Sequence, residues 1–351
     1  MKFLNRTVSC VKIFGVLSLM TMSGCATTGE AISQVPLAQD SVSKAVVDYS
    51  KRGAFKVVVQ YDSWPDVQRG RDIKVKIYEP KSVSNAPVVI FSHGLGGSVE
   101  AAPYLGEHLA SWGILAIHVQ HPGSDGEVWK GMKGQKAIVG KLRTVIKKPK
   151  TAINRYQDIP FIIDEIETRS AAGELPANPQ RIALAGHSFG AHTVLALAGR
   201  NYKLAGRDYN FRDNRLVAGI ALSPPSPGTR VKPADYKTVY GKIDMPLLHI
   251  TGTKDGNPLN RSDAPKNREI PFSQIHGSPQ YLVVFDGADH AVFGGIRERS
   301  PEWYPKTHMR VNEVATTFLA SYLLQDAAAL KYLDSDEFEE KFNEDAKFKK
   351  H

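Results

Sequence analysis

Acyl transfer without a metal needs a nucleophile, a base to take its proton and a group to orient that base. The chain supplies one of each, well separated in sequence. Ser188 lies in Gly186-His187-Ser188-Phe189-Gly190, a G-x-S-x-G run. Asp255 lies in Gly252-Thr253-Lys254-Asp255-Gly256, and His290 ends Asp286-Gly287-Ala288-Asp289-His290. A serine hydroxyl is a poor nucleophile at neutral pH, so it requires a histidine within hydrogen-bond reach, held by a carboxylate. The chain order Ser, Asp, His matches that of nucleophiles carried on a strand-to-helix elbow. The developing oxyanion needs N–H donors. The expected donors are the amides of Phe189 and of Leu95, the latter in His93-Gly94-Leu95-Gly96-Gly97.

Each of these has a plainer alternative. A lone G-x-S-x-G is a weak signal, Asp255 could be a solvated turn residue, and 93–97 could be a simple tight turn. The flanking elements weigh against those readings. Ile182 to Ala185 is a short apolar run suited to a buried strand. Ala191 to Ala198 reads as a helix too apolar for the surface. A reversal between them strains Ser188 and demands glycine at 186 and 190. Among rival acids, Asp286 and Asp289 lie close to His290 along the chain, and Asp244 precedes a strand. Among rival bases, His276 precedes the last strand and His308 begins the last helix. His93 reads as a structural residue behind its loop, and His187 and His192 as packing residues.

The remaining elements alternate. Strands are expected at Ala54–Tyr61, Asp72–Tyr78 (a half-exposed edge strand), Ala86–Ser92, Ile114–Val119, Val217–Leu222, Leu247–Thr251 and Tyr281–Phe285. Helices are expected at Ala102–Trp112, Ile159–Arg169 and Met309–Leu324, with a loop over Pro176–Pro179. This predicts an α/β fold with a mostly parallel central sheet covered by helices on both faces. Function then belongs in the loops beyond the C-terminal strand ends, where every motif above falls. An insertion at about 125–155 carries Lys130, Lys133, Lys136, Lys141, Arg143, Lys147, Lys148 and Lys150. It could face anionic lipid or an acidic substrate; the plainer reading is a solvated cap. Trp129, Phe293, Trp303 and Tyr304 are candidates to line an acyl pocket, against the alternative that they are core. Residues 331–351 read as a charged tail with Phe338 and Phe342 on one helical face.

The 351 residues, 42% hydrophobic and 23% charged, suit one sizeable globular domain, expected over 51–330. The net charge of +9 reads as dispersed, which makes nucleic acid a poor partner. The only cysteines, Cys10 and Cys25, precede the domain, so it has no disulfide framework and no cysteine cluster for a metal. No metal or cofactor is implied. Residues 1–24 have a basic lead (Lys2, Arg6, Lys12), an apolar core at 13–20 and small residues before Cys25, the pattern of a signal peptide. Met22-Ser23-Gly24-Cys25 resembles the lipobox of bacterial lipoproteins. That resemblance implies cleavage before Cys25 and its lipidation, with 25–50 as a tether. Ala26, in place of an Asp, favours the outer membrane of a Gram-negative cell. The alternative is plain secretion with cleavage near Ala26.

Phe91-Ser92-His93-Gly94-Leu95-Gly96, Gly186-His187-Ser188-Phe189-Gly190 and Asp289-His290 together resemble the platelet-activating-factor acetylhydrolase and dienelactone-hydrolase-like branch of the α/β-hydrolases, over roughly 54–324. The resemblance implies an α/β-hydrolase fold and hydrolysis of short-acyl or lipid-like carboxylic esters, with Leu95 and Phe189 as oxyanion donors. Two departures leave the substrate open. Secreted animal acetylhydrolases carry the acid after the strand that follows the nucleophile helix, where this chain has Ser223; Asp255 is the standard position of the wider fold. The dienelactone hydrolases use Cys where this chain has Ser188. A thioesterase or peptidase on the same triad is the enzymatic alternative. A surface-binding lipoprotein without catalysis is the alternative of another class. Oligomeric state is open.

Overall fold

A computed structural model describes residues 47–204, 206–228, 231–260, 262–295 and 304–351. The expected signal peptide, Cys25 and Trp303 lie outside the described residues, as does most of the tether. Eleven described strands are β1 Val57–Asp66, β2 Arg71–Pro80, β3 Ala86–Ser92, β4 Leu115–Val119, β5 Ala177–His187, β6 Asn201–Leu204, β7 Arg207–Asn210, β8 Leu216–Leu222, β9 Leu247–Lys254, β10 Gln280–Asp289 and β11 Ala346–Lys350. The helices are α1 Pro103–Ser111, α2 Gln135–Ile146, α3 Pro149–Ala171, α4 Phe189–Leu197, α5 Tyr236–Tyr240, α6 Ile270–Gln274, α7 Tyr304–Tyr322, α8 Ala327–Leu333 and α9 Asp336–Phe342.

Nine strands form one sheet in the order β1-β2-β4-β3-β5-β8-β9-β10-β11, and β6 and β7 pair as a separate hairpin. The six strands from β4 to β10 are parallel, and antiparallel pairs close both sides. The fold is therefore α/β, as expected, around a mixed sheet with a parallel centre. Side chains alternate across each strand, so two cores form. Val89 and Phe91 face α1 and α7, while Val88 and Ile90 face α3 and α4. The chain runs from β3 to β4 on one side of β3, then returns to β5 on the other. Such a reversal of strand order opens a crevice at the C-terminal strand ends. The loop after β3 and the turn after β5 flank it.

Several boundaries differ from expectation. Strand β2 is interior, not an edge: β1 covers it, and Ile73, Val75, Lys76, Ile77 and Tyr78 are all buried. Its alternation reflected sequence chemistry, but the aliphatic stem of Lys76 packs inward while its amine reaches Glu100. Helix α3 begins ten residues earlier than the expected 159, so the inserted segment is a short 3-10 turn at Gly126–Trp129 followed by α2. Pro149 at the start of α3 fits the first turn, where its missing N–H has no intrahelical partner. Of the residues expected as loop at 176–179, those from Ala177 onward already belong to β5. Tyr49, placed in the tether by sequence, is buried, and its carbonyl accepts from His108 Nε2. The charged C-terminal segment is structural: Phe338, Phe342 and Phe348 are buried, and β11 pairs with β10. Among the described residues no helix is long and apolar enough to cross a membrane.

Candidate active site

Strand β5 runs into α4 through one residue. Ser188 takes φ 56° and ψ −112°, a region that costs a non-glycine residue on the order of 1–3 kcal/mol. The turn survives because its surroundings fix it. The Ser188 amide donates to the Leu222 carbonyl at 2.8 Å, and α4 is buried along nearly its whole length. Both flanking glycines are obligatory. A Cβ on Gly190 would overlap the Ser92 carbonyl, and one on Gly186 would lie 2.5 Å from the Gly190 carbonyl carbon. The result is a half-exposed Ser188 at the N-terminus of α4.

The three residues named from sequence come together. His290 Nε2 lies 3.0 Å from Ser188 Oγ, and His290 Nδ1 lies 2.7 Å from Asp255 Oδ1. A carboxylate can only accept, so Nδ1 carries the proton and Nε2 presents its lone pair to the hydroxyl. Asp255 is fully buried. Its other oxygen accepts from Thr251 Oγ1 at 2.8 Å. Burial alone would raise its pKa, but the His290 hydrogen bond and the Arg268 charge outweigh it and hold the carboxyl below its ordinary value. The acid therefore stays ionised beside the ring.

The rival groups have other tasks. Asp289 accepts from the amides of Ala291 and Val292 and from Tyr304 Oη, shaping the turn after His290. Asp286 is exposed and bonded to Thr253, and Asp244 pairs with Arg212. His276 is exposed, and His308 donates to the Val292 carbonyl. His187 is more than packing: its Nε2 donates to the main-chain carbonyl of His290 at 3.0 Å, fixing that backbone against the turn at Ser188. Burial, then the neighbouring His290, lowers its pKa to about 3, which keeps it neutral. His93 donates from Nδ1 to the Gly94 carbonyl and accepts at Nε2 from the His121 amide. His192 accepts from or donates to Tyr156 Oη at 2.8 Å within an aromatic cluster.

The loop after β3 abuts Ser188. A Cβ on Gly94 would lie 3.5 Å from Ser188 Cβ. The amides of Leu95 and Phe189 have no internal acceptor among the described residues, so both remain available as donors. Trp129 reaches this loop, donating from Nε1 to the Gly96 carbonyl at 2.9 Å. Phe293, expected to line an acyl pocket, lies in the core instead. It is fully buried in the core with Phe285, because the turn after His290 folds back onto α1 and α7. A cavity of about 300 Å³ bordered by Lys254, Asp286, Lys306 and Asp345 contains none of the three. Among the described residues no three His, Cys, Asp or Glu side chains group so as to hold a metal ion.

Sequence reasoning missed two buried arginines. Arg268, on the 3-10 turn Pro265–Glu269, donates from Nε to the Asp255 carbonyl, from Nη1 to the Ser223 carbonyl and from Nη2 to the Gly256 carbonyl, at 2.7, 3.0 and 3.1 Å. It ties the loops after β8 and β9 together. Arg155 on α3 donates to Ser92, Ser124 and Thr193 hydroxyls and to the His93 carbonyl, and its guanidinium lies 4.6 Å from the centre of the Phe189 ring. It wires the loop after β3 to α4. Behind it, His121 bridges Ser92 and Asp158, and Asp158 also binds Arg69 and Arg71. No spacing rule marks an arginine as buried, so no signal in the single sequence could have found either one. No protein-family model matches the chain, and no curated protein matches it.

Proposed function

We propose that the chain is a serine carboxylic-ester hydrolase built on an α/β-hydrolase fold. The observation that carries the reading is the continuous chain of contacts from Ser188 Oγ through His290 to Asp255, at 3.0 and 2.7 Å. Ser188 Oγ attacks the acyl carbon as its proton passes to His290 Nε2. The resulting oxyanion is met by the amides of Phe189 and Leu95, supported by the positive end of α4. Collapse breaks the ester C–O bond, and His290 Nε2 returns the proton to the leaving alcohol. Water, losing a proton to His290, then attacks the acyl carbon; the acid leaves and Ser188 regains its hydrogen. Asp255 holds the imidazole in one tautomer throughout.

The substrates proposed are short-acyl or lipid-like esters at the cell envelope, reached from a lipid on Cys25 in the outer membrane. Turnover of p-nitrophenyl acetate by the wild-type chain and by Ser188→Ala tests the reaction. The variant is expected to lose a factor on the order of 10⁶ in kcat. Equal activity in the two would remove the hydrolase reading and leave a surface-binding lipoprotein. A matched set of ester, thioester and amide substrates separates esterase from thioesterase and peptidase. Labelling of the wild-type chain by a fatty acid, absent in Cys25→Ser, tests the anchor.

A further inference from the structure

The positive charge of this protein is not dispersed, as its composition first implied. Residues 130–155 contain seven lysines and two arginines and no carboxylate. The whole chain has 45 basic and 36 acidic residues, so removing these nine leaves 36 of each. The entire net charge of +9 is thus carried by one 26-residue segment. Arg155 is buried under the site, and Lys130 pairs with Glu127. Lys133, Lys136, Lys141, Lys147, Lys148 and Lys150 are exposed, and among the described residues none has a carboxylate at ion-pair distance.

This segment sits on the rim of the candidate site. Leu142 of α2 packs on Gly96 of the loop that presents Leu95, approaching within 3.1 Å of where a Cβ would stand. On the other side, Arg143 Nε donates to the Leu259 carbonyl, in the loop that follows Asp255, at 2.9 Å. Helix α2 therefore bridges the oxyanion-side and acid-side loops. Ile138, Val139, Leu142 and Val145 turn inward, at helical spacing, and leave the lysines outside. Met132 and Ile146 are exposed among those lysines, at 37% and 41%.

We propose that this basic face docks the protein on an anionic lipid bilayer, with the mouth of the site turned toward the lipid. The proposal rests on the hydrolase reading for what the mouth does, but not for the docking itself. A twelve-residue helix with charged flanks spans well over ~18 Å, too long for all its lysines to meet one small acidic substrate. The match is to an extended array of negative charge. Lysines outnumber arginines, which suits diffuse attraction to headgroups more than forked recognition of single phosphates. The segment has no Phe, Tyr or Trp to stack on bases, whereas Met132 and Ile146 can enter the interfacial layer. A lipid on Cys25 would tether the domain without orienting it; α2 would supply the orientation.

The test uses the full chain carrying Cys25→Ser and Ser188→Ala, so that neither acylation nor turnover contributes. Co-flotation is measured with phosphatidylcholine vesicles and with vesicles containing 30% phosphatidylglycerol. Each lysine near an anionic surface is worth about fivefold in binding. Adding K133Q, K136Q, K147Q and K148Q is therefore expected to cut binding to the anionic vesicles on the order of a hundredfold or more. Half-molar salt should erase most of the preference for anionic vesicles. The variant M132S/I146S should weaken binding to them without changing its salt dependence. Equal flotation with the two vesicle types, or a preference unaffected by the four glutamines, overturns the proposal. Tighter binding to a 20-base-pair DNA duplex than to vesicles at equal phosphate also overturns it. Ester turnover is read separately, on soluble p-nitrophenyl acetate with Ser188 intact, so failure of the chemistry and failure of the docking give different results.

Discussion

The guanidinium of Arg268 and the carboxylate of Asp255 meet at 2.8 Å, Nε to Oδ1, while the same nitrogen donates to the Asp255 main-chain carbonyl at 2.7 Å. One arginine thus holds both the charge and the backbone of the residue that orients His290. The pair is almost fully buried, at 5% and 0% exposure of the two side chains. Removing one member of such a pair leaves an uncompensated charge and costs roughly 3–5 kcal/mol. Arg268→Ala is expected to lower the urea midpoint and, in the fraction that stays folded, to lower kcat about a hundredfold through misplacement of the acid loop. Arg268→Lys keeps the charge but cannot reach three carbonyls, so it should recover stability more than kcat. Wild-type kcat in the alanine variant would show that the arginine has no part in positioning.

Three aspartates lie near the base in sequence or space, and the hydrogen bonds separate them. Asp255→Asn should lower kcat by a factor on the order of 10⁴, because an amide can hold the ring in the wrong tautomer. Among the described residues the Asp286 side chain accepts from Thr253 Oγ1 and the turn amide of Gly287, so Asp286→Asn should leave kcat within about twofold. The reverse ranking in steady-state assays would assign the acid elsewhere.

What could be read from sequence follows a physical division. The meeting of Ser188, Asp255 and His290 was legible because each follows an apolar run, and a parallel sheet collects the ends of such runs at one rim. Backbone demands were legible too, since only glycine tolerates the approach at 186 and 190. Arg155 and Arg268 were not legible: Arg155 is held by hydroxyls and a carbonyl and Arg268 by three carbonyls and the Asp255 carboxylate, groups that no spacing ties to either arginine. Phe293 was misplaced for the opposite reason, since an aromatic near His290 looks the same in sequence whether it faces a pocket or the core. Strand β11 was hidden by Lys347, Lys349 and Lys350; only Ala346 and Phe348, two apart, carry its inward face.

Two glycines should respond in opposite directions to the same change. A methyl on Gly190 has no room beside the Ser92 carbonyl, a rigid part of β3. Gly190→Ala is expected to cost more than about 4 kcal/mol or to prevent folding, the range reserved for severe overpacking and lost backbone geometry. Gly140 lies inside α2 with nothing within 4 Å of its added carbon. Gly140→Ala should raise stability by about 0.5–1 kcal/mol, because alanine loses less entropy on forming a helix. Denaturant titrations of both variants check the pair. A tolerated Gly190→Ala would contradict the tight crossing of β3 and α4 on which the elbow depends.

Acid lability should come from the histidines that are buried and uncharged. Burial is the first cause in each case: it lowers His108, His121 and His249 to about 4, and His118 and His187 to about 3. A free histidine titrates near about 6.5. Below that pH the unfolded chain takes up protons that the folded chain refuses. Each of these groups therefore contributes stability that is complete above about 6.5 and is lost as pH falls toward 4 or 3, at a limiting slope of about 1.4 kcal/mol per pH unit. Asp158 acts over a lower window. Burial would raise it, but the His121 hydrogen bond and Arg71 hold it at about 2, so its contribution is lost only between about 3.9 and 2. The urea midpoint should be nearly level from pH 8 to 7 and then fall with increasing steepness from 6.5 to 4. Because the fall begins above the carboxylate range, it separates histidine uptake from ordinary acid denaturation. A midpoint unchanged between pH 7.5 and 4.5 would mean that these rings are hydrated or charged in the folded protein.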